Sequence, residues 1–503
     1  MIARARRLFC FSAPVSLVLT SALGMARNAP SQSRTDMARQ DPAAILARAK
    51  NVMGFSRTAN RVVHYHAAAA EEQNYQSDRT YPPFFSAMEV KEGWFDPLSG
   101  LERVSTQTTF PGSGSPAQVS ITDARRAFAL AKERLTAMPR TLLQSRFLNP
   151  WNVVADWVGA GDARFAGREQ YRDYPRIVLT RATIAGEQRL LVDPKTGFPV
   201  KLDFLEKHYL WGQRHVEYLY STWIRAADIM VPGSSFMLAD GKTEISQTFG
   251  DVEMIARDSA PSLSLPAAPA DSTDALPLFL QPVDLKVSQV GPKTYLLSNP
   301  GYTEAVTEIG NEVFLLDATQ GEERGRKDAE AIARLFPGKH NVTVVITDLA
   351  WPHVAGLRYW VASGATIIAH KAAREFLQSV VDRRWIASPD LLEQHRKTAR
   401  LRFVGVDARY SLSGGAISLH PIDGIGSEVA LMAYLAGDRF LWASDYIQTV
   451  AEPTAYALEV WRAAERDGLS PERTAAEHLP LTPWSRIDEL RKQAEAAGSG
   501  GSK

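Results

Sequence analysis

The sequence predicts two unlike halves: an antiparallel α+β unit, then a layered α/β sandwich. Three observations point there. Strand-like alternation dominates residues 60–255. An aperiodic stretch rich in Pro, Ala and Ser, "DSAPSLSLPAAPADSTDALP" (258–277), then interrupts the chain. Beyond it, short β-type runs alternate with amphipathic helical segments, the mixture that a layered α/β fold produces.

At 503 residues the chain has length for about two to four ordinary domains. Its charged fraction of 22% and apolar fraction of 45% are those of a soluble globular protein. A formal net charge of +1 gives no sign of a basic nucleic-acid groove or a polybasic membrane patch.

The N-terminus differs. "MIARARR" is a positive n-region, and "LFCFSAPVSLVLTSALG" is apolar but short, with Pro14 inside it. Small residues follow around Gly24 and Ala26. Residues 1–26 therefore read as a cleaved secretory signal, and Arg6-Arg7 point to the twin-arginine route. An N-terminal anchor helix is the alternative. The expected location is a bacterial periplasm or the exterior, with no integral membrane span after cleavage. Cys10 is the one cysteine and lies within that signal. The mature chain would have no disulfide, no thiol nucleophile and no Cys metal ligand.

"DPAAILARAKNVMG" (41–54) has a helix start at Asp41-Pro42 and a Gly stop. "PVKLDFLE" (199–206) and "RHVEYLYSTW" (214–223) alternate as strands, with Val200, Leu202 and Phe204, and Val216, Tyr218 and Tyr220, on one face each. "DPKTG" (193–197) is a turn. "RAFALAKERLTAM" (126–138) and "NPWNVVADWVG" (149–159) read as helices. After the interruption, "EERGRKDAEAIARLF" (322–336) is a helix expected to turn Ala329, Ile332, Ala333 and Phe336 inward. "VTVVITD" is a buried strand, "GLRYWVASG" a helix and "ATIIAH" a strand. "EVALMAYLAGDRFLWASD" is a hairpin turning at Ala436–Arg439. The expected boundaries are a domain at 41–257, a linker at 258–282, a second domain at 283–490 and a flexible tail at 491–503.

Four segments, in order, carry a family resemblance. They are "VFLLDA" (313–318), "VVITDLAWPHVAGLRYWVASGATIIAH" (344–370), "LMAYLAGDRFLWASD" (431–445) and "AAEHLPLTPW" (475–484). From about Val287 to Trp484 the chain resembles the metallo-β-lactamase superfamily, which implies an αββα sandwich with metal ligands on loops. That family's loop reads Thr-His-x-His-x-Asp-His-x-Gly-Gly. Here Thr347 corresponds to the Thr, and Asp348 and Ala350 stand where the first two His belong. Pro352 replaces the Asp, His353 keeps the third His, and Ala355-Gly356 keep half of the Gly pair. The later His falls near Ile425 or Gly426, neither a ligand, and His420 comes too early. Asp445 corresponds to the bridging Asp and His478 to the last His.

The resemblance thus implies a degenerate site. The first ion has lost its three His, while His353, Asp445 and His478 survive from the second. They would hold one Zn, or Fe or Mn, with Asp348 as a fourth ligand or as the base that orients water. The implied activity is hydrolysis of an ester, lactone or amide in a small-molecule substrate. A second reading stays open: Ala350 and Pro352 fit a catalytically inactive scaffold or ligand binder without metal. His353, Asp445 and His478 each have ordinary structural roles as well, and His370 reads as structural. Residues 41–257, through "VDPKTGFPVKLDF" (192–204), resemble the lipoprotein-carrier half-barrel. This implies a third reading, a carrier of a lipid or other apolar ligand.

Overall fold

The computed structural model describes residues 41–499, except 56–59, 77–78, 83, 111–112, 132–133, 139–144, 184–185, 266–281, 339–340 and 425. The expected signal at 1–26 with Cys10, most of the expected linker, and Ile425 lie outside the described residues.

The first half is built on one antiparallel sheet of fourteen strands, running from Arg134–Ala137 at one edge to Arg164–Tyr171 at the other. Its first strand, Arg61–Glu72, pairs with its last, Lys242–Ala256, and with Ser86–Phe95. Two helices, Pro42–Val52 and Pro150–Ala160, supply the other side of the core. The first starts where the Asp41 carboxylate accepts the Ala43 N–H at 3.0 Å and Pro42 presets the backbone. Leu46, Ala49, Met53, Trp151, Val153 and Trp157 from these helices pack against Tyr65, Phe95, Leu179, Leu202 and Tyr218 from the sheet. Each of the larger aliphatic side chains among them contributes roughly 1.5–3 kcal/mol by leaving water. The helix expected at 126–138 is instead a hairpin, Ala127–Ala131 with Arg134–Ala137. Pairing with Gln118–Thr122 extends the sheet, and that tertiary contact overrides the helical preference of Ala, Leu and Lys.

The second half has two sheets. Seven strands run from Lys286–Gly291 to Arg402–Val406, and six from Tyr410–Leu412 to Leu479–Pro483. The strand Glu312–Leu316 shows how they are buried. Val313 and Leu315 join a cluster with Ile332, Leu357 and Leu377 from helices. Phe314 and Leu316 join another with Leu419, Leu431 and Trp442 of the six-stranded sheet. On the far side of that sheet, Met432 and Leu441 meet Val460 and Ile487 of the last two helices. A strand covered on both faces reads as an unbroken apolar run, which is why these segments stood out.

Two helices differ from expectation. In Glu322–Leu335 the buried face is Arg324, Gly325, Asp328, Ala331 and Ile332, while Ala333 is exposed. Arg324 and Asp328 enter the core as an ion pair, which an apolar pattern cannot register. The last helix, Ser485–Ser499, runs through most of the segment expected to be a tail. Leu490 is buried there, Arg491 lies over the Trp461 ring, and Arg491 pairs with Glu495 four residues on at 2.6 Å.

The halves share a core. Trp351 packs on Tyr75 and Trp211 and stands under the Arg214 guanidinium. Its backbone N–H donates to the Tyr75 carbonyl at 2.9 Å. Arg383 donates to the carbonyls of Trp211 and Gln213 and pairs with Asp240 at 2.8 Å.

Candidate metal centre

Parallel strand pairs place the polar residues. Glu312–Leu316 and Val342–Val345 run parallel in one sheet, and Phe440–Trp442 and Arg473–Ala476 run parallel in the other. Just past their carboxyl ends come Asp317, the loop 346–356, Ser444-Asp445 and Glu477-His478. Loops at the carboxyl ends of parallel strands are the usual place for ligands in α/β folds. Leu431 N–H to Thr347 O (2.8 Å) and Glu477 N–H to Ser444 O (3.0 Å) tie these ends together. Gly356 is required where the loop turns into the helix Leu357–Ala362. A Cβ there would stand 2.9 Å from the Ala318 carbonyl oxygen.

His353, Asp445, Glu477 and His478 each offer one ligand atom, all within 4.8 Å of one another. The structure thus brings together three of the residues that the sequence singled out and adds Glu477. His478 Nε2 lies 3.4 Å from Asp445 Oδ1. Donors of a tetrahedral zinc site stand about 3.3–3.5 Å apart. His478 Nδ1 donates to the Gly301 carbonyl at 2.6 Å, because a carbonyl only accepts, and Nε2 is the nitrogen turned toward Asp445. Gln448 donates to both Asp445 oxygens at 3.2 Å.

Asp348 is outside that group. Its carboxylate accepts the Ala350 N–H at 2.7 Å and the Ser444 hydroxyl at 3.0 Å, and both oxygens lie 3.1 Å from His353 Nδ1. Burial works against its ionisation, yet His353 and these donors prevail and hold it below the usual carboxylate range. Ser444 holds its place at a positive φ of 55°, as does Asp317 at 70°. Such backbone strain in non-glycine residues collects at functional sites. Asp317 accepts from the Thr347 N–H and hydroxyl and from the Trp442 indole at 2.6 Å.

The electrostatics permit a cation. Glu477 is fully buried, and neither of its oxygens receives a hydrogen bond among the described residues. His353 Nδ1 comes within 2.7 Å of Glu477 Oε2, but off the line of a hydrogen bond. Burial, with Asp348 and Asp317 nearby, pushes the Glu477 carboxyl well above its ordinary range. Burial would lower His353, but Glu477, Asp348 and Asp445 outweigh it and raise that imidazole strongly. Two imidazoles and two carboxylates, one of them undonated, are a donor set that a divalent ion fits.

His420 and His370 stand apart from this group. His420 is buried between Asp467 and Ser418, each at 2.8 Å. His370 ends the strand Thr366–His370. A cleft of about 270 Å³ beside the group is lined by Asp348, Asp445, Tyr446 and Gln448, and by Gln73, Phe85 and Phe110 from the first half. Glu477 and the residues from the first half escaped the sequence reading. The one available signal was a lone acid in the small, apolar run "TAAEHL" (474–479).

No family model matches the chain, and no curated protein does. Solved structures similar to it include the DIM-1 metallo-beta-lactamase, 12% identical over 42% of this chain and 98% of that one, with a TM-score of 0.33. TMB-1 is 15% identical over 42% and 98%, with a TM-score of 0.32. A metallo-beta-lactamase from Pontibacter korlensis is 13% identical over 41% and 98%, with a TM-score of 0.33. Likeness at that level assigns no family to the chain.

Proposed function

We propose that the second half is a metallo-β-lactamase-type αββα sandwich holding one divalent ion, and that the protein is a mononuclear hydrolase of an ester, lactone or amide. The observation that carries this reading is the undonated, buried Glu477 carboxylate beside two imidazoles and Asp445. His353, Asp445, Glu477 and His478 would hold the ion, with zinc, iron or manganese suiting such a set. When bound, it supplies Lewis-acid polarisation of a substrate carbonyl.

The chain's own residues orient and enclose. Gly301 fixes the His478 tautomer and Gln448 steadies Asp445. Asp348, expected as a fourth ligand or as the water-orienting base, is read here as a positioning residue for His353, because its oxygens already receive Ala350, Ser444 and His353. Phe85 and Phe110 give the cleft that Asp445 also lines an apolar part, which favours a substrate with an apolar group beside its carbonyl.

The inactive-scaffold reading draws on Asp348, Ala350 and Pro352, which leave the first ion position of the family without its His. The carrier reading is weaker. A cavity of about 500 Å³ in the first half has Glu71, Glu89, Lys91 and Glu102 in its lining, which is unsuited to a wholly apolar cargo. Export to the periplasm or exterior belongs to the same proposal and rests on residues 1–26 alone. No helix of the described residues is long and apolar enough to cross a membrane.

The test is an assay of chelator-stripped full chain on p-nitrophenyl esters, lactones and amides. Turnover restored by Zn²⁺, and lost in His478→Ala, is expected. Activity indifferent to chelator, or none in any metal state, overturns the hydrolase reading.

A further inference from the structure

A second cluster lies on the sheet of the first half, on its face away from the helices. In the strand Arg61–Glu72, Val63, Tyr65 and Ala67 point into the core, so His64 and His66 share the opposite face. Register sets their neighbours. His66 stands opposite Glu92, and His64 stands opposite Trp94 on one side and Glu253 on the other. His64 Nε2 lies 3.0 Å from Glu92 Oε1, and His66 Nε2 lies 4.0 Å from the same oxygen. One ligand atom from each of His64, His66 and Glu92 falls within 4.8 Å of the others.

We propose that His64, His66 and Glu92 form a second divalent-metal site, for a zinc-, copper- or nickel-class ion, independent of the centre in the second half. Three features equip the cluster for this. The His-x-His spacing on a strand aims two imidazoles at one point, as a three-ligand site with an open position requires. Glu253 Oε1 takes His64 Nδ1 at 3.0 Å, the carboxylate–imidazole pairing that fixes which nitrogen faces a metal. The Trp94 ring stacks on His64 at 5.2 Å and 14°, which holds the imidazole plane. The register also breaks beside His66, where the partner strand carries an additional residue between Val252 and Phe249. The side chains of His66 and Glu92 are 49% and 44% exposed, so an ion has access from solvent.

The test is titration of the chelator-stripped full chain with Zn²⁺ by calorimetry, with Co²⁺ absorption to report imidazole ligation. The wild type should lose one equivalent in His64→Ala/His66→Ala. In His353→Ala/His478→Ala one equivalent should persist, and it should vanish when all four substitutions are combined. Glu253→Gln should weaken that equivalent by about 10–100-fold. Because the His66 side chain is 49% exposed, His66→Ala alone should melt as the wild type does without metal and still weaken that equivalent. Zinc stoichiometry unchanged by His64→Ala/His66→Ala overturns the proposal. A wild type with one equivalent, lost in that variant, supports it while counting against metal in the second half.

Discussion

Glu477 is a carboxylate without exposed surface and, among the described residues, without a hydrogen-bond donor on either oxygen. Removing such a charge relieves the metal-free fold and cripples the metal-bound one. Glu477→Gln is therefore expected to raise the melting temperature of chelator-treated protein and to abolish the rise that zinc produces, both read by calorimetry. Glu71 offers a pH test away from the centre. Burial and the neighbouring Glu89 raise its pKa to about 7. An unfolded Glu titrates near ~4.3. A carboxyl with a raised folded pKa is fully tolerated below the unfolded value, and stability falls as pH climbs from there to about 7. Glu71→Gln should flatten that decline, so urea midpoints of variant and wild type should differ more at pH 8 than at pH 5. The legible site residues were those with a positional motif, His353, Asp445 and His478. Glu477 has none, because what distinguishes it is burial without a hydrogen-bond donor among the described residues, a property of the folded surroundings.

At the scale of elements, the helix Glu322–Leu335 shows what periodicity misses. Arg324 is fully buried, bonded to both Asp328 oxygens, to the Gln320 side chain at 3.0 Å and to the Leu297 carbonyl at 2.6 Å. Glu304 lies 3.6 Å away and accepts the N–H and hydroxyl of Thr319, just past Asp317. Arg324→Ala would leave Asp328 and Glu304 buried without their cation, at a cost of about 3–5 kcal/mol. Arg324→Met with Asp328→Leu removes both charges and should recover much of that loss in denaturant midpoints. Strands covered on both faces were easy to read, because they are continuously apolar. The hairpin at 127–137 was not: Ala, Leu and Lys favour a helix locally, and only the neighbouring strand makes it a ribbon. The last helix, too, was hidden by its polar composition, and its stability comes from Leu490 and the Arg491–Trp461 contact.

For the whole molecule, the loop that carries His353 also carries Trp351, which is packed against the first half. Trp351→Ala is expected to cost about 3–5 kcal/mol. It should split one unfolding transition into two, seen as non-coincident fluorescence and far-UV dichroism curves. The division into two textures was plain in the sequence. Their union was not, because Tyr75, Trp211 and Trp351 are far apart in the chain. The same union gives the cleft its wall of Gln73, Phe85 and Phe110, which no motif announces. The central claim is that four side chains at the carboxyl ends of strands hold one ion. Elemental analysis of protein purified without chelator, in the His64→Ala/His66→Ala background, tests it most directly. One equivalent of metal, lost on adding His478→Ala, is the result the account predicts. A folded, metal-free protein, or metal retained despite that substitution, would contradict it.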